Sequence, residues 1–248
     1  MIAEMRTPTL LVAMLLLGVA AAPSQAAVRP PSDRSPLKTE QLSDEQTITR
    51  WAHPLFAGII RSEPSPSARV RGRLRFFTED RVFEVYVVLA SHVDAVGRTW
   101  LRVRIPRRPN GTTGWTLAQN LDKLRVVRTK LRIDRGALRA TLFRDGKVIW
   151  SSRVGIGGRG TPTPAGEFYI RERLRNLTGS AAYGPWAFGT SAYSGLSDWP
   201  KGGVIGIHGT NQPQLIPGRP SHGCVRVPNA KISQLARLMP IGTPVRIF

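Results

Sequence analysis

The sequence is poor in cysteine and in acidic side chains. Its 248 residues include a single cysteine, Cys224, so the chain cannot form an internal disulfide. Asp and Glu number 16 against 36 Lys and Arg, which gives a formal net charge of +20 at pH 7. Such an excess of positive charge indicates an anionic partner. The arginines alternate along predicted strands, as at Arg71, Arg73 and Arg75, rather than cluster. This spacing favours a solvated strand face over a nucleic-acid site.

Long apolar runs are also rare. The run Leu10–Ala22 follows Arg6 and is shorter than a comfortable membrane span, and Ser24-Gln25-Ala26 ends in a small-x-small pattern. We therefore predict an export signal over residues 1–26, cleaved near Ala26, with an uncleaved anchor as the alternative. An exported chain lies in the cell wall or periplasm, where its charge would attract anionic envelope polymers rather than nucleic acid. We expect a monomer.

Glycines at 155, 157, 158 and 160 raise the question of a phosphate-binding loop. No Gly-Lys-Ser/Thr completes such a loop, and Thr161-Pro162-Thr163-Pro164 would not open a helix. We therefore exclude nucleotide binding and expect no cofactor.

Two folded regions are predicted after the export signal. Residues 27–50 combine Pro, Ser and charged residues with little apolar periodicity, which is typical of a linker. Residues 51–127 contain several short β-like runs separated by turns, which predict a small β-barrel. Its function is wall binding, positioning of the next region, or that of a spacer.

Residues 129–248 predict a second, mainly β region. Asp145-Gly146 between apolar runs indicates a β-hairpin. The apolar spacing over Asn229–Met239 predicts one helix near the C-terminus. Between them, 176–200 reads as a long irregular loop rich in aromatic residues, including Tyr183 and Trp186. Loops of that length are usually functional, so these aromatics are either a binding surface for a peptide or sugar, or a buried cluster.

The chemistry is concentrated in two short motifs, Ile207-His208-Gly209-Thr210 and Pro217-Gly218-Arg219-Pro220-Ser221-His222-Gly223-Cys224-Val225-Arg226-Val227. A thiol reacts as the thiolate, which a neighbouring imidazole can produce and hold. In an extended segment His222 and Cys224 would share a face, and Gly223 would leave room for a substrate backbone. Outside the cytoplasm an idle thiol would be oxidised. A reactive Cys224 is therefore favoured over a buried structural one.

These motifs resemble the signature of the L,D-transpeptidases, cysteine enzymes that crosslink bacterial peptidoglycan. The resemblance extends upstream to Gly157–Phe168, which is similar to a Thr-Pro-x-Gly-x-Phe segment of that family, and it covers roughly residues 129–248. It implies a β-sandwich catalytic domain with one helix. The end of the first region, Gly114-Trp115-Thr116-Leu117 followed by Asn120-Leu121, more weakly resembles a bacterial Src-homology-3-like barrel.

The resemblance implies the following reaction and site. Cys224 attacks a tetrapeptide stem, releases D-Ala and passes the acyl group to an amine of another stem, which forms a 3-3 crosslink. His208 is the general base, the Gly209 carbonyl orients it, and His222 polarises the thiolate. The Gly223 and Cys224 N–H groups form the oxyanion hole, and Ser221 steadies the loop. Arg226 and Arg219 are candidates to bind a substrate carboxylate, and carbapenems are expected to acylate the cysteine.

Four alternatives remain open at this point. Water as the acceptor would make the enzyme an L,D-carboxypeptidase, and a protein amine would make it an anchoring enzyme. His208, His222 and Cys224 could instead be three ligands of a catalytic zinc. Finally, the chain could be a wall-binding protein without catalysis.

Overall fold

The computed structural model describes residues 39–175, 180–196, 198 and 200–248. The predicted export signal and the first part of the predicted linker, residues 1–38, lie outside this description. Within it, no helix has the length and apolarity needed to cross a bilayer. All described residues belong to one compact unit that contains two sheets and, among those residues, one α-helix. The prediction of a mainly β chain with one helix is confirmed.

The first sheet contains eight strands. They are β1 (Thr39–Gln41), β2 (Thr49–Ala52), β3 (Ile59–Arg61), β4 (Val70–Arg73), β5 (Tyr86–Val93), β6 (Thr99–Arg104), β7 (Thr113–Leu117) and β8 (Arg125–Val127). A 3₁₀ turn, Ala118–Asn120, follows β7. The strand order is β4-β3-β7-β6-β5-β2-β8, and β1 pairs with β5 beside β2. In the described part of the chain no ladder joins β4 to β8, so the closed Src-homology-3-like barrel stays a prediction.

The predicted linker is wrong over its described part. β1 pairs with the C-terminal half of β5, and β2 lies between β5 and β8. The few apolar residues here hid two strands, because β1 is exposed along its length and is held by backbone pairing rather than by an apolar face. The first folded region therefore begins by Thr39.

β5 is buried on both of its faces. Tyr86 and Val88 point into the core of the first sheet, while Val87 and Leu89 join a second apolar cluster that includes Tyr169 of the second sheet. Successive strand residues point to opposite faces, so a strand with both faces covered reads as a continuous apolar run. The back of the first sheet is thus the surface that contacts the second region.

The second sheet contains ten strands. They are β9 (Thr129–Asp134), β10 (Arg139–Arg144), β11 (Lys147–Arg153), β12 (Gly155–Gly157), β13 (Gly166–Arg175), β14 (Trp186–Tyr193), β15 (Val204–His208), β16 (Gly218–Ser221), β17 (Val225–Arg226) and β18 (Pro244–Ile247). Short 3₁₀ turns occur at Ala181–Tyr183, Pro200–Gly203 and Pro213–Leu215, and the helix α1 is Asn229–Leu238. The predicted hairpin is confirmed: Arg144 pairs with Lys147, and both turn residues have positive φ.

One strand links the two halves of this sheet. The first residues of β13 pair with β18, whereas its later residues pair with β14, so the sheet continues as β11-β10-β9-β18-β13-β14-β15-β17-β12-β16. Side chains from both halves meet α1, through Ile232, Leu235 and Ala236, in a single core. This arrangement places β15 and β17 side by side.

The prediction of an irregular stretch over 176–200 is wrong for residues 186–193, which form the buried strand β14. The small and polar residues of β14 show no apolar alternation in the sequence, yet each has a specific contact inside the sheet. A Cβ on Gly189 would lie 2.1 Å from the Glu172 carboxylate. Thr190 donates its hydroxyl to the Ile205 carbonyl (2.7 Å), and Ser191 Oγ accepts the Tyr169 N–H (3.1 Å). Internal hydrogen bonds therefore allow polar side chains inside this sheet.

Candidate active site

Two neighbouring strands bring the motifs together. His208 is the last residue of β15, and Cys224 immediately precedes β17. The two strands are parallel, with Ile207 opposite Val225 and His208 opposite Arg226. The Pro- and Gly-rich segment between the motifs therefore returns the chain so that the cysteine lies next to the histidine strand.

Gly206 lies at the centre of this meeting point. Its N–H donates to Cys224 Sγ at 3.3 Å. A methyl group at Gly206 would lie 3.8 Å from both Cys224 Sγ and His208 Cδ2. The thiol and the imidazole therefore border the same small space, and glycine keeps that space open.

The His208 ring is held by its own loop. Its Nδ1 is 2.6 Å from the Gly209 carbonyl oxygen, which can only accept, so Nδ1 carries the proton. The neutral ring then has an unprotonated Nε2, adjacent to the Cδ2 that borders the Gly206 space. This is the tautomer that a base directed at Cys224 requires.

Burial makes the resting pair neutral. Desolvation lowers the pKa of His208 to about 4; Arg226 acts in the same direction, and the Gly209 hydrogen bond opposes it. Desolvation also raises the pKa of the Cys224 thiol, against the opposing effects of the Gly206 N–H and of Arg226. A thiolate held at rest by the imidazole is therefore not favoured, because burial favours the uncharged form of both groups.

The turn around the cysteine is fixed by Ser221. Its hydroxyl donates to the Cys224 carbonyl (2.5 Å) and accepts the Gly223 N–H (3.2 Å). Gly223 has a φ of +126°, and a Cβ there would lie 2.8 Å from Ile205 Cδ1. Because the Gly223 N–H is engaged, we retain only the Cys224 N–H as a candidate oxyanion donor.

Thr163 braces the same turn from the upstream motif. Its buried hydroxyl donates to the Gly223 carbonyl (2.7 Å) and accepts the Gly157 N–H (2.9 Å). Sequence analysis assigned no role to this residue. The signal that could have found it is the threonine between two prolines, which fixes the backbone on both sides of the hydroxyl.

An open cleft leads to the sulfur. Its lining residues are Ala182, Tyr183, Ser194, Gly203, Val204, Ile205, His208, Ser221, His222, Cys224 and Arg226. The Tyr183 side chain is half exposed, and its ring centroid is 4.9 Å from that of His208. The His222 side chain is exposed at the cleft. Arg226 donates to Gln212 Oε1 (2.9 Å), while its buried Nε has no hydrogen-bond partner among the described residues.

The donor arrangement does not favour the zinc alternative. Over residues 39–248, leaving aside the gaps in the description, no three His, Cys, Asp or Glu side chains converge closely enough to hold a metal ion. His208, His222 and Cys224 border one cleft without forming such a cluster.

Comparison with known proteins finds relatives of the second region of the chain. The sequence profile of the L,D-transpeptidase catalytic domain family (YkuD) matches residues 128–247. These residues belong to the L,D-transpeptidase catalytic domain family. The candidate L,D-transpeptidase YkuD of Bacillus subtilis is 36% identical over 112 residues, 45% of this chain and 61% of that protein. The candidate L,D-transpeptidase YqjB of the same organism is 30% identical over 110 residues, 42% of this chain and 61% of that protein.

This chain thus spans about three fifths of the length of the curated relatives that it matches. Among solved structures, a cysteine-to-serine mutant of Enterococcus faecium L,D-transpeptidase is 26% identical. The match covers 48% of this chain and 49% of that one, with a TM-score of 0.39.

Two residues that were predicted to bind substrate, Arg219 and Trp186, do not line the cleft. Arg219 is exposed, and its guanidinium donates to the Arg135 carbonyl (3.3 Å) instead of lining the cleft. Trp186 packs against the core of the domain, and the Arg173 guanidinium lies 5.9 Å from its ring centroid. Sequence analysis missed Ser194 and Ile205 because neither lies in a chemical motif, and only the fold brings them to the cleft.

Proposed function

We propose that this protein is an L,D-transpeptidase that forms 3-3 crosslinks in peptidoglycan through an acyl-enzyme on Cys224. The observation that carries the proposal is the shared space at Gly206, which Cys224 Sγ and the imidazole of His208 both border within an open cleft. Family membership of residues 128–247 supports it. The scattered excess of basic residues suits an exported enzyme that works among anionic envelope polymers.

The first half-reaction begins from the neutral pair. His208 Nε2 takes the proton from Cys224 Sγ as the sulfur attacks the carbonyl between the L-centre of the diamino acid and the terminal D-Ala. The Gly209 carbonyl stabilises the imidazolium that forms, through the Nδ1–H. The Cys224 N–H donates to the developing oxyanion. The imidazolium then gives its proton to the nitrogen of D-Ala, the C–N bond breaks, and a thioester remains on the sulfur.

The second half-reaction reverses these roles. An amine of a neighbouring stem attacks the thioester carbonyl, His208 removes one of its protons, and that proton returns to the sulfur as the C–S bond breaks. Two easier acyl transfers thus replace one difficult exchange of amides. Water in place of the amine would give L,D-carboxypeptidase activity.

Substrate groups have clear candidates for partners. The buried Nε of Arg226 lacks a hydrogen-bond partner within the described residues, and the guanidinium can bind a carboxylate of the stem. Tyr183 provides a half-exposed ring next to the base, which can cover the scissile bond. The exposed His222 can contact the thiolate or the leaving group once a stem fills the cleft.

The reaction is tested by intact mass spectrometry. A tetrapeptide stem should leave an acyl adduct on the wild type with loss of D-Ala, and a carbapenem should leave a drug adduct. Cys224→Ala should show neither. His208→Ala should keep the fold and form both adducts more slowly by orders of magnitude. An adduct on both the wild type and Cys224→Ala, or on neither, contradicts the proposal.

The acceptor is tested in the same assay. With a second stem in excess, the expected product is a dimer joined between two diamino acids. Release of only the shortened stem would instead assign the carboxypeptidase activity. Wild-type protein with no turnover of stems and no thiol reactivity would favour the non-catalytic wall-binding alternative.

A further inference from the structure

The loop between β6 and β7 of the first sheet contacts the second region beside the cleft. We define the cleft wall as residues 193–196, at the end of β14, and residues 203–206, at the start of β15. Ser194, Gly203, Val204 and Ile205 of this wall line the cleft around Cys224. Its last residue, Gly206, donates to the sulfur itself. A change in the position of the wall therefore changes the space that a stem must fill.

Arg108 makes the main contact with the cleft wall. Its Nε and Nη2 donate to the Ser194 carbonyl at 3.0 and 2.8 Å, and Nη2 also lies 2.9 Å from the carbonyls of Leu196 and Gly202. Its guanidinium lies 5.1 Å from the Tyr193 ring centroid. A planar guanidinium can serve several carbonyls and a ring face at once, which the compact ammonium of lysine cannot do.

Asn110 in the same loop binds the wall as an additional strand would. Its Nδ2 donates to the Tyr193 carbonyl (2.8 Å), and its Oδ1 accepts the Tyr193 N–H (2.9 Å). The next residue, Ser194, then donates its N–H to the Gly203 carbonyl (2.8 Å), which joins the two parts of the wall. Asn110 thus holds the first residue of the wall, while Arg108 bonds carbonyls of its first part and that of Gly202, just before its second part.

The sheet that carries this loop is fixed to the second region by buried contacts. Buried contacts between the two regions include the Arg171–Glu84 ion pair and the hydrogen bond from Tyr169 to the Val85 carbonyl (2.8 Å). The Tyr193 hydroxyl also donates to Glu79 at 2.7 Å. A loop on a flexible tether could not fix a wall of the cleft, whereas a loop on a sheet locked in this way can.

We propose that Arg108 and Asn110 are positioning residues for the transpeptidase reaction: they hold the cleft wall, and the first sheet thereby completes the binding site for the donor stem. This inference rests on the proposed function. The sequence left wall binding, positioning of the catalytic region and a spacer open for the first region, and this inference specifies positioning through two named residues of one loop.

The test compares Arg108→Lys and Asn110→Ala with the matched control Arg102→Lys. Arg102 is an exposed arginine of β6 that bonds Thr113 within the first sheet. For Arg108→Lys we expect the KM for the donor stem to rise about tenfold or more while kcat changes less than threefold, because Cys224 and His208 keep their own supports. Asn110→Ala should behave similarly, and Arg102→Lys should match the wild type.

Two further measurements separate positioning from general stability. Deuterium exchange of the peptides that cover the cleft wall should rise in both loop variants, with no change in the strands β9 and β10. The rate of Cys224 alkylation by iodoacetamide, a probe too small to need the wall, should stay within twofold of the wild type. An unchanged KM or unchanged exchange in folded variants would overturn the proposal, as would loss of the whole fold in both. If the wild type turns over no stem, the proposed function fails, while the exchange comparison still decides whether the loop holds the wall.

Discussion

The guanidinium of Arg171, on β13, forms a bidentate ion pair with the carboxylate of Glu84, which lies two residues before the start of β5, and both side chains are fully buried. Glu79 adds a second carboxylate 2.9 Å from Arg171 Nη1. These oppositely charged groups come from different regions of the chain. The pairing joins the first sheet to the transpeptidase domain at a place where neither charge can reach water.

Glu84→Gln should therefore destabilise the whole chain. Removing one partner of a buried pair leaves the other charge uncompensated, which typically costs 3–5 kcal/mol; since Glu79 remains, we expect about 3 kcal/mol. Urea unfolding of the full chain measures the loss. Asp145→Asn is the control, because its pair with Arg128 is exposed on both sides at 3.8 Å and is worth less than about 1 kcal/mol. Equal effects of the two substitutions would contradict the proposed importance of the buried pair.

The neutral resting pair predicts the pH dependence of acylation. Because the pKa of His208 is lowered to about 4, the imidazole stays an unprotonated base down to that pH. The rate of acylation by a carbapenem should therefore be nearly constant from pH 8 to pH 5 and fall with a midpoint near pH 4. Circular dichroism at each pH checks that the fold persists. A midpoint near 6.5, the ordinary value for histidine, would show that the base is not buried as described.

Glycine substitutions should separate folding from catalysis. Gly206→Ala adds a methyl group at ordinary contact distance, 3.8 Å from both Cys224 Sγ and His208 Cδ2, so the protein should fold with nearly unchanged stability. The methyl group occupies the space that the reacting carbonyl needs, and acylation should slow about a hundredfold. Gly189→Ala provides the opposite case, because its Cβ would lie 2.1 Å from buried Glu172. There we expect a large loss of stability in thermal unfolding.

The sequence predicted the reactive residues of the site better than the residues that surround them. It also predicted the Asp145-Gly146 hairpin and the helix near the C-terminus, because each is encoded by local residue spacing. It could not predict β14, whose polar residues form hydrogen bonds only with distant strands. The pKa directions depend on burial, which local spacing does not reveal. Arg108 contacts the cleft wall only because the two regions pack together.

Thr163→Val should loosen the turn that carries the nucleophile. The variant keeps the shape of the side chain but leaves the Gly157 N–H and the Gly223 carbonyl without their buried partner. Unpaired buried groups of this kind cost about 1–3 kcal/mol, and acylation should slow in addition because the turn gains freedom. Urea unfolding and the acylation rate measure the two effects. Thr161→Val, which loses only a 3.4 Å contact with the Ser221 carbonyl, should be milder in both measurements.

Glu172 should make stability depend on pH between 4.5 and 7. Burial raises the pKa of this carboxyl from 4.5 to about 7; Asp80 raises it further, while the hydrogen bond from Thr78 opposes the shift. The folded chain then holds a proton that the unfolded chain releases, so the free energy of unfolding should decrease as pH rises through this range. The lowered pKa of His208 gives a slope of opposite sign, but it is the same in every variant that retains His208.

Comparison of Glu172→Gln with the wild type isolates the carboxyl. Glutamine is neutral at every pH and still accepts the Thr78 hydroxyl, which lies 2.6 Å from Glu172 Oε2. The variant should match the wild type near pH 5 and exceed it in stability at pH 8, where the wild type carries a buried charge. Denaturant unfolding at both pH values measures this difference, with Glu63→Gln as the exposed control. If the variant is less stable than the wild type at pH 8, Glu172 is ionised and paired where it meets Thr78. Its charge would then hold the two regions together.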